Sequence, residues 1–135
     1  FLIMLDADDF KCINDTYGHA TGDRALMQIA GILKALCNHQ DCFLARLGGD
    51  EFVIVGRDYN GSMLETLASD IGTRVAAFNA SGGEPYRLSL SIGTARFSPG
   101  TVDTTDALLI AADRNMYQAK ADKKKALKDA KKGKE

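Results

Sequence analysis

The chain has 135 residues, 17 Lys and Arg against 18 Asp and Glu, and 45% hydrophobic residues. This length fits one domain of about 100–150 residues, and the ordinary hydrophobic and charged content excludes a wholly disordered chain. No apolar run reaches the roughly 18 residues that a membrane-spanning helix needs.

The first predicted element is a buried strand over Phe1–Leu5, which ends in the acids Asp6, Asp8 and Asp9. Because successive strand side chains point to opposite faces, Asp6 and Asp8 share a face and Asp9 does not. Carboxylates at a strand end are the hard oxygen ligands that Mg²⁺ prefers. A solvated strand end explains these acids equally well.

Two helical segments and a hairpin follow the first strand. Residues 9–17 predict a short helical turn, and an amphipathic helix of about four turns starts at Asp23. The apolar runs Cys42–Ala45 and Phe52–Val55 flank Leu47–Asp50. The two glycines in that segment tolerate positive φ, so the pattern predicts a tight β-hairpin.

The remaining elements are a helix, a strand and a last helix. Apolar residues recur at helical spacing over 64–78, and Tyr86–Phe97 reads as a strand in which Gly93 marks a bulge or a close approach. Thr105 or Asp106 caps the final helix. The resulting β-α-β-β-α-β order predicts an α+β, ferredoxin-like core, with helices on one side of an antiparallel sheet.

The acids of the hairpin suggest a metal site. If the hairpin lies beside the first strand, Asp50 comes near Asp6, and carboxylates from neighbouring strands can hold the Mg²⁺ that nucleotidyl transfer uses. A charged hairpin tip is the alternative explanation for Asp50 and Glu51. Asn14 and Asp23 can accept the N–H groups of a guanine edge, although a helix cap is the simpler explanation for Asp23.

Four motifs in chain order carry a resemblance to a known family. The chain is similar to GGDEF domains in these segments: Asp6–Asp23, Gly48–Phe52, Ser91–Gly93 and Ala112–Lys120. The resemblance implies a diguanylate cyclase, which condenses two GTP into cyclic di-GMP and releases two pyrophosphates. It also implies a fold related to nucleotidyl cyclases and polymerase palm domains, which agrees with the predicted element order.

The resemblance further implies roles for individual residues. The ligands of Mg²⁺, with Mn²⁺ as an alternative ion, are Asp6, the Ala7 carbonyl, Asp50 and Glu51. Glu51, with Asp50, assists metal binding or deprotonation of the attacking 3′-hydroxyl. The expected substrate contacts are Asn14 and Asp23 to guanine, Phe10, Lys11, Lys120 and Lys124 to the phosphates, and Gly48 and Gly49 where the nucleotide meets the backbone.

Partners and location follow from the same resemblance. One domain holds one GTP, so catalysis implies a transient, two-fold homodimer. The family's opening helix is absent and no initiator Met precedes Phe1. We therefore expect a piece of a longer protein with covalently linked sensory or regulatory domains. We expect a cytoplasmic location, or the cytoplasmic part of a membrane-anchored bacterial protein, without direct membrane contact by this domain.

Two segments depart from the family pattern. Many members carry an Arg-x-x-Asp product-binding site before the hairpin, but Cys37–Cys42 offers Arg in neither register. We therefore predict that inhibition through that site is lacking. Lys123–Lys125 stand where the family usually has Gly-Arg-Asn, so Lys124 replaces a bidentate guanidinium with a point charge.

The C-terminal end is strongly basic. From Ala119 to Glu135, eight Lys stand against three acids, a net charge of +5, whereas residues 1–118 carry a net charge of −6. A solvated helix end is the preferred explanation. We assign residues 1–125 to the catalytic domain and 126–135 to a lysine-rich tail.

Three other functions stay open. The first is a GTP-binding regulatory module without turnover, and the second is a cyclase that uses adenine nucleotides. Asp23 disfavours the second, because a carboxylate faces the acceptor N1 of adenine. The third is nucleic-acid binding through the tail, which lacks the aromatic residues needed for stacking.

Overall fold

The computed structural model of the chain describes residues 1–38 and 41–134, which form four strands and four helices. In chain order these are β1 (Leu2–Ala7), α1 (Phe10–Tyr17), α2 (His19–Cys37), β2 (Cys42–Gly48), β3 (Glu51–Gly56), α3 (Met63–Ser81), β4 (Leu90–Ala95) and α4 (Thr105–Lys132). The predicted α+β class and the predicted order of elements are confirmed.

The four strands form one antiparallel sheet in the order β2-β3-β1-β4. The register of β1 places Asp6 opposite Glu51 on one side and Ser91 on the other. In β2 the pairing shifts by one residue between Arg46 and Gly48, next to the hairpin tip. The acids of β1 and of the hairpin therefore reach the same end of the sheet.

Both faces of β1 are apolar, and each face is covered by helices. Ile3 and Leu5 pack with α2 and α3, whereas Leu2 and Met4 pack with α4. The prediction that helices lie on one side holds for α2 and α3 but is wrong for α4. The physical reason is that the alternating side chains of β1 bury apolar surface on both faces, so each face needs a cover.

Gly93 is a point of close approach between β4 and α4. A Cβ atom at this position would lie 2.0 Å from the Ala112 carbonyl oxygen and 2.2 Å from the Met116 amide nitrogen. Of the two predicted explanations for this glycine, the close approach is confirmed. The missing side chain lets the α4 backbone rest directly on the strand.

The ends of α4 differ from the prediction. Thr104, and neither Thr105 nor Asp106, caps the helix: its hydroxyl accepts from the Ala107 amide at 3.1 Å. At its other end α4 runs to Lys132 without a break, and its lysines from Lys124 onward are exposed, which confirms the solvated helix end. Of the helices in residues 1–38 and 41–134, none is both long and apolar enough to traverse a bilayer.

The start of α2 also differs from the prediction. The helix begins at His19, directly after Gly18, whose φ of 90° separates it from α1. Asp23 therefore lies inside the helix, and its predicted role as a cap is wrong. Gly18 provides the break because a residue with a side chain adopts positive φ only with strain.

Candidate functional site

The site is built around two carboxylates at the end of β1. Asp6 continues the row of Leu2 and Met4 that faces α4, and the Ala7 amide donates to the Asp50 carbonyl at 3.1 Å. Burial raises the pKa of Asp50, and the neighbouring Asp6 carboxylate raises it further. The prediction that the hairpin brings Asp50 near Asp6 is confirmed.

The carboxylate pair fits a hard cation. Asp6 Oδ1 is buried and has no hydrogen-bond partner in the described part of the chain, whereas Oδ2 accepts from Lys120 Nζ at 2.8 Å. A buried, unpaired carboxylate oxygen beside a second carboxylate is stabilised by a bound cation. Within residues 1–38 and 41–134, no three or more His, Cys, Asp or Glu side chains gather as a metal site, so the fit rests on this pair. Glu51 lies opposite Asp6 in the sheet register.

Lysines of α4 flank the carboxylate pair. The hydrogen bond to Asp6 raises the pKa of Lys120 and holds it charged. A cavity of about 390 Å³ opens beside them, and it is lined by Asp6, Tyr117, Lys120, Ala121 and Lys124. Asp6 and two lysines therefore share one opening, an arrangement suited to a metal–polyphosphate ligand.

The predicted guanine contacts come together on α1 and α2. A Cβ at Gly22 would lie 1.8 Å from Asn14 Oδ1 and 3.4 Å from the ring of Phe10. Asn14 of α1 thus fills the space that a side chain at Gly22 would take, and Gly22 directly precedes Asp23 in α2. Sequence reasoning assigned Gly22 no role in the site, because its partner is visible only once the two helices pack together.

Asp23 also borders a second cavity, which lies between α2 and the hairpin strands. Its volume is about 340 Å³, and its lining residues are Asp23, Leu26, Met27, Ala30, Arg46 and Phe52. Apolar walls with a few polar groups are typical of pockets for flat ligands such as a base. Asp23 therefore borders an open cavity instead of capping its helix.

The hairpin tip has the backbone that its glycines predict. Gly48 and Gly49 have φ values of 148° and 52°. The Arg46 guanidinium donates to the Gly49 carbonyl at 2.8 Å and closes the turn. A side chain at Gly49 would strain the left-handed backbone, and nothing lies within 4 Å of its Cβ position. The tip is thus bare backbone open to a ligand.

The turn between β1 and α1 leads into the predicted phosphate contacts. Phe10 is partly buried and packs against the core. Lys11 is exposed in the first helical turn, where backbone N–H groups have no acceptor within the helix. These amides and the Lys11 side chain can donate hydrogen bonds to an anion.

A cluster around Asp8 was not predicted from the sequence. Asp8 accepts hydrogen bonds from Ser89 and Ser91, each at 2.6 Å, and from Lys123 at 2.5 Å. Burial alone raises the pKa of Asp8, but these hydrogen bonds outweigh it and hold the pKa below its usual range. Ser91 was noted only as part of a motif; its link to Asp8 requires the register of β4 against β1.

Replacing Asp8 with Asn is expected to lower the free energy of unfolding at pH 7 by about 2 kcal/mol, the typical worth of hydrogen bonds to a charge. Because the pKa of Asp8 is lower in the folded chain, its contribution is present above the unfolded pKa and is lost as the pH falls through the folded pKa. Urea unfolding at several pH values measures this. The two proteins should converge in acid; a difference that is constant with pH contradicts the prediction.

The segment before the hairpin is only partly described. His39 and Gln40, which belong to the register comparison for the product-binding site, lie outside the described residues. Asp41 accepts a hydrogen bond from the Tyr59 hydroxyl at 2.7 Å. The absence of Arg from Cys37–Cys42 therefore rests on the sequence.

Comparison with known proteins identifies relatives that match most of the chain. The family model described as "Diguanylate cyclase, GGDEF domain" matches residues 1–126. The bifunctional diguanylate cyclase/cyclic di-GMP phosphodiesterase MucR of Pseudomonas aeruginosa is 39% identical over 119 residues, which cover 88% of this chain and 17% of MucR. The diguanylate cyclase DgcN of Escherichia coli is 41% identical over 126 residues, covering 88% of this chain and 29% of DgcN.

Solved structures show the same fold. The GGDEF domain of TpbB from Pseudomonas aeruginosa matches with a TM-score of 0.75 and 36% identity, over 90% of this chain and 75% of that one. The GGDEF domain of DgcB from Caulobacter crescentus, solved in complex with c-di-GMP, matches with a TM-score of 0.77 and 28% identity, over 89% of this chain and 71% of that one. The family-model match over residues 1–126 includes β1 and the hairpin, the elements that carry the carboxylate pair.

Proposed function

The chain belongs to the GGDEF domain family, and from that premise we propose that it is a diguanylate cyclase that condenses two GTP into cyclic di-GMP and two pyrophosphates. The observation that carries the proposal is the Asp6–Asp50 pair with its unpaired buried oxygen, placed beside Lys120. Because the chain spans only 17–29% of MucR and DgcN, the activity of the whole protein is part of the proposal.

The residues present fit a divalent cation. Asp6, the Ala7 carbonyl and Asp50 would hold Mg²⁺, or Mn²⁺ as an alternative, with Glu51 assisting from the opposite strand. The bound ion supplies charge neutralisation of the triphosphate and polarisation of the α-phosphorus. Lys120 and Lys124 bind phosphate oxygens from α4, and the amides of the first turn of α1 bind them from the other side.

The guanine contacts, the hairpin backbone and Glu51 orient the substrate for attack in this proposal. Asn14 and Asp23 accept from the guanine edge, while Gly48 and Gly49 let the nucleotide lie against the hairpin backbone. Glu51 accepts the proton of the 3′-hydroxyl. Since that hydroxyl cannot reach the α-phosphate of its own nucleotide in line, a second GTP-loaded copy faces the first, and the active assembly is a transient homodimer.

A direct assay tests this function. The chain, dimerised by a fused coiled coil, is incubated with GTP and Mg²⁺, and the products are separated by chromatography. Cyclic di-GMP is expected from the natural chain and not from Glu51→Gln, and ATP should neither compete nor react. Failure of the dimerised chain to form any cyclic di-GMP would refute the proposal.

One observation favours a second candidate, a GTP-binding regulatory module. The relative PdeR of Escherichia coli, 38% identical over 126 residues, is named as a cyclic di-GMP phosphodiesterase, and this chain covers 18% of it. Lys124 in place of Arg also weakens phosphate binding. This candidate predicts binding of GTP without turnover in the same assay. In either case, linked domains outside this chain and a cytoplasmic setting are proposed.

Gly22→Ala is expected to raise the KM for GTP about tenfold, the effect of losing a hydrogen bond or two to the base. The new methyl group would lie 1.8 Å from Asn14 Oδ1 and so displace the Asn14 side chain from the base. Steady-state kinetics measure KM and kcat. The control is Gly31→Ala in the same helix, where a Cβ meets nothing within 4 Å. An unchanged KM for Gly22→Ala contradicts the placement of Asn14 at the base.

Cyclic di-GMP is expected to bind weakly to the nucleotide-free chain, because no guanidinium fork is available in Cys37–Cys42 for phosphate and guanine. Isothermal titration calorimetry measures the affinity. Tight binding that disappears in Asp41→Ala would show that the segment forms a product site after all.

A further inference from the structure

The turn between β1 and α1 is not held by its own helix cap. Its residue Asp9 occupies the cap position of α1 with a φ of 53°, and its side chain makes no capping hydrogen bond. This left-handed conformation is less favourable for Asp than for Gly. The turn connects the Ala7 carbonyl to the first amides of α1, so its geometry determines where both groups point.

Contacts from outside the turn hold it instead. Both carboxylate oxygens of Asp8 accept hydrogen bonds, Oδ1 from Ser91 and Oδ2 from Ser89 and Lys123. The Asp8 amide also donates to the Ser89 carbonyl at 2.8 Å. The side chain of Asp8 is only 9% exposed, so these bonds form in a largely water-excluded place.

Lys123 is the link between this turn and α4. Its ammonium group donates to Asp8 Oδ2 at 2.5 Å, to Ser89 Oγ at 3.1 Å and to the Leu90 carbonyl at 2.8 Å. An ammonium group has three N–H donors, so these acceptors use all of them. Lys123 therefore has no donor left for a phosphate, in contrast to its neighbour Lys124, which lines the open cavity.

We propose that Lys123 is a positioning residue of the cyclase: by joining Asp8, Ser89 and Leu90 it fixes the β1–α1 turn against α4, and so aims the Ala7 carbonyl at the cation. Lys120, three residues earlier in α4, contacts Asp6. The Lys123 anchor thus sets the spacing between the lysines of α4 and the acids of β1. The inference rests on the proposed function, and it assigns a role to a lysine that stands where the family resemblance places Gly.

The test compares Lys123→Met with Lys125→Met, a matched loss of charge at an exposed position two residues on. The first readout needs neither metal nor substrate: hydrogen exchange of the peptide that covers residues 5–11. The second is the dissociation constant for Mn²⁺, measured by electron paramagnetic resonance. The third is kcat of the coiled-coil dimer at saturating GTP and Mg²⁺.

For Lys123→Met we expect faster hydrogen exchange of the turn. We also expect the Mn²⁺ affinity and kcat each to fall by about tenfold or more, whereas Lys125→Met should change none of these quantities. Lys123→Arg should restore most of the Mn²⁺ affinity and of kcat, because a guanidinium also bridges a carboxylate and a carbonyl. A merely stabilising Lys123 would lower the melting temperature and leave kcat and the Mn²⁺ affinity of the folded protein unchanged, and that result would overturn the proposal.

Failure of the proposed function gives a different pattern. A natural chain that produces no cyclic di-GMP would refute the cyclase, yet turn exchange and Mn²⁺ affinity would still decide whether Lys123 positions the turn. If neither quantity differs between Lys123→Met and Lys125→Met, the positioning role is wrong whatever the turnover.

Discussion

Asp50→Asn is expected to reduce cyclic di-GMP formation by about a thousandfold, because a metal ligand contributes several kcal/mol of transition-state stabilisation. The variant keeps the shape of the hairpin tip, since the Ala7 amide bonds to the Asp50 backbone and not to its side chain. The loss should therefore appear in kcat without unfolding. Turnover measured by chromatography of products, with circular dichroism for the fold, provides the check.

Asp50→Asn should also make the metal-free protein more stable at neutral pH. The pKa of Asp50 is raised, chiefly by burial and then by Asp6, so this group holds its proton more tightly in the folded chain. The free energy of unfolding of the natural chain therefore falls as the pH rises from the unfolded pKa through the folded pKa. Asn has no proton to lose, so the variant lacks this fall.

The effect of Mg²⁺ on the melting temperature should also differ between the natural chain and Asp50→Asn. It should raise the melting temperature of the natural chain by binding the folded state, and it should raise that of Asp50→Asn much less. Asp15→Asn is a suitable control, because Asp15 is an exposed acid on α1 outside the carboxylate pair. An Asp50→Asn protein that is active, or that gains as much stability from Mg²⁺ as the natural chain, would contradict the assignment.

Gly93→Ala is expected to lower the free energy of unfolding by about 3 kcal/mol, at the upper end for an overpacked core. The new methyl group would lie 2.0 Å from the Ala112 carbonyl oxygen and 2.2 Å from the Met116 amide nitrogen. Both atoms belong to the backbone of α4, so no flexible side chain can move aside. The helix must shift away from the sheet, which opens the cluster formed by Leu2, Met4 and Met116.

Urea unfolding measures this effect, and Gly31→Ala is the matched control. Gly31 is exposed in α2 and a Cβ there meets nothing within 4 Å, so its replacement should raise the free energy of unfolding by about 0.5–1 kcal/mol. The shift of α4 should also separate Lys120 from Asp6, so the activity of folded Gly93→Ala should fall as well. Equal stability of both variants would show that α4 does not rest on β4 at Gly93.

Local patterns in the sequence predicted the helices and strands and singled out the acids of the candidate metal site. Helical spacing predicted α2, α3 and α4, alternation and short apolar runs predicted the strands, and Gly48-Gly49 predicted the hairpin. Asp6 was singled out because it directly follows a buried apolar strand, and Asp50 because a hairpin turn does not need Asp-Glu after Gly-Gly. Each of these inferences uses residues that are close together in the chain.

The tertiary structure decided which surfaces meet. The continuous apolar run of β1 indicates that both faces are buried, but it does not show that α4 covers the face opposite α2 and α3. Likewise Gly22 makes room for Asn14 only because α1 folds back on α2. The bond between Lys123 and Asp8 joins residues 115 positions apart. Periodicity reports that a side chain is buried; its partner depends on the packing of whole elements, so only the folded chain determines it.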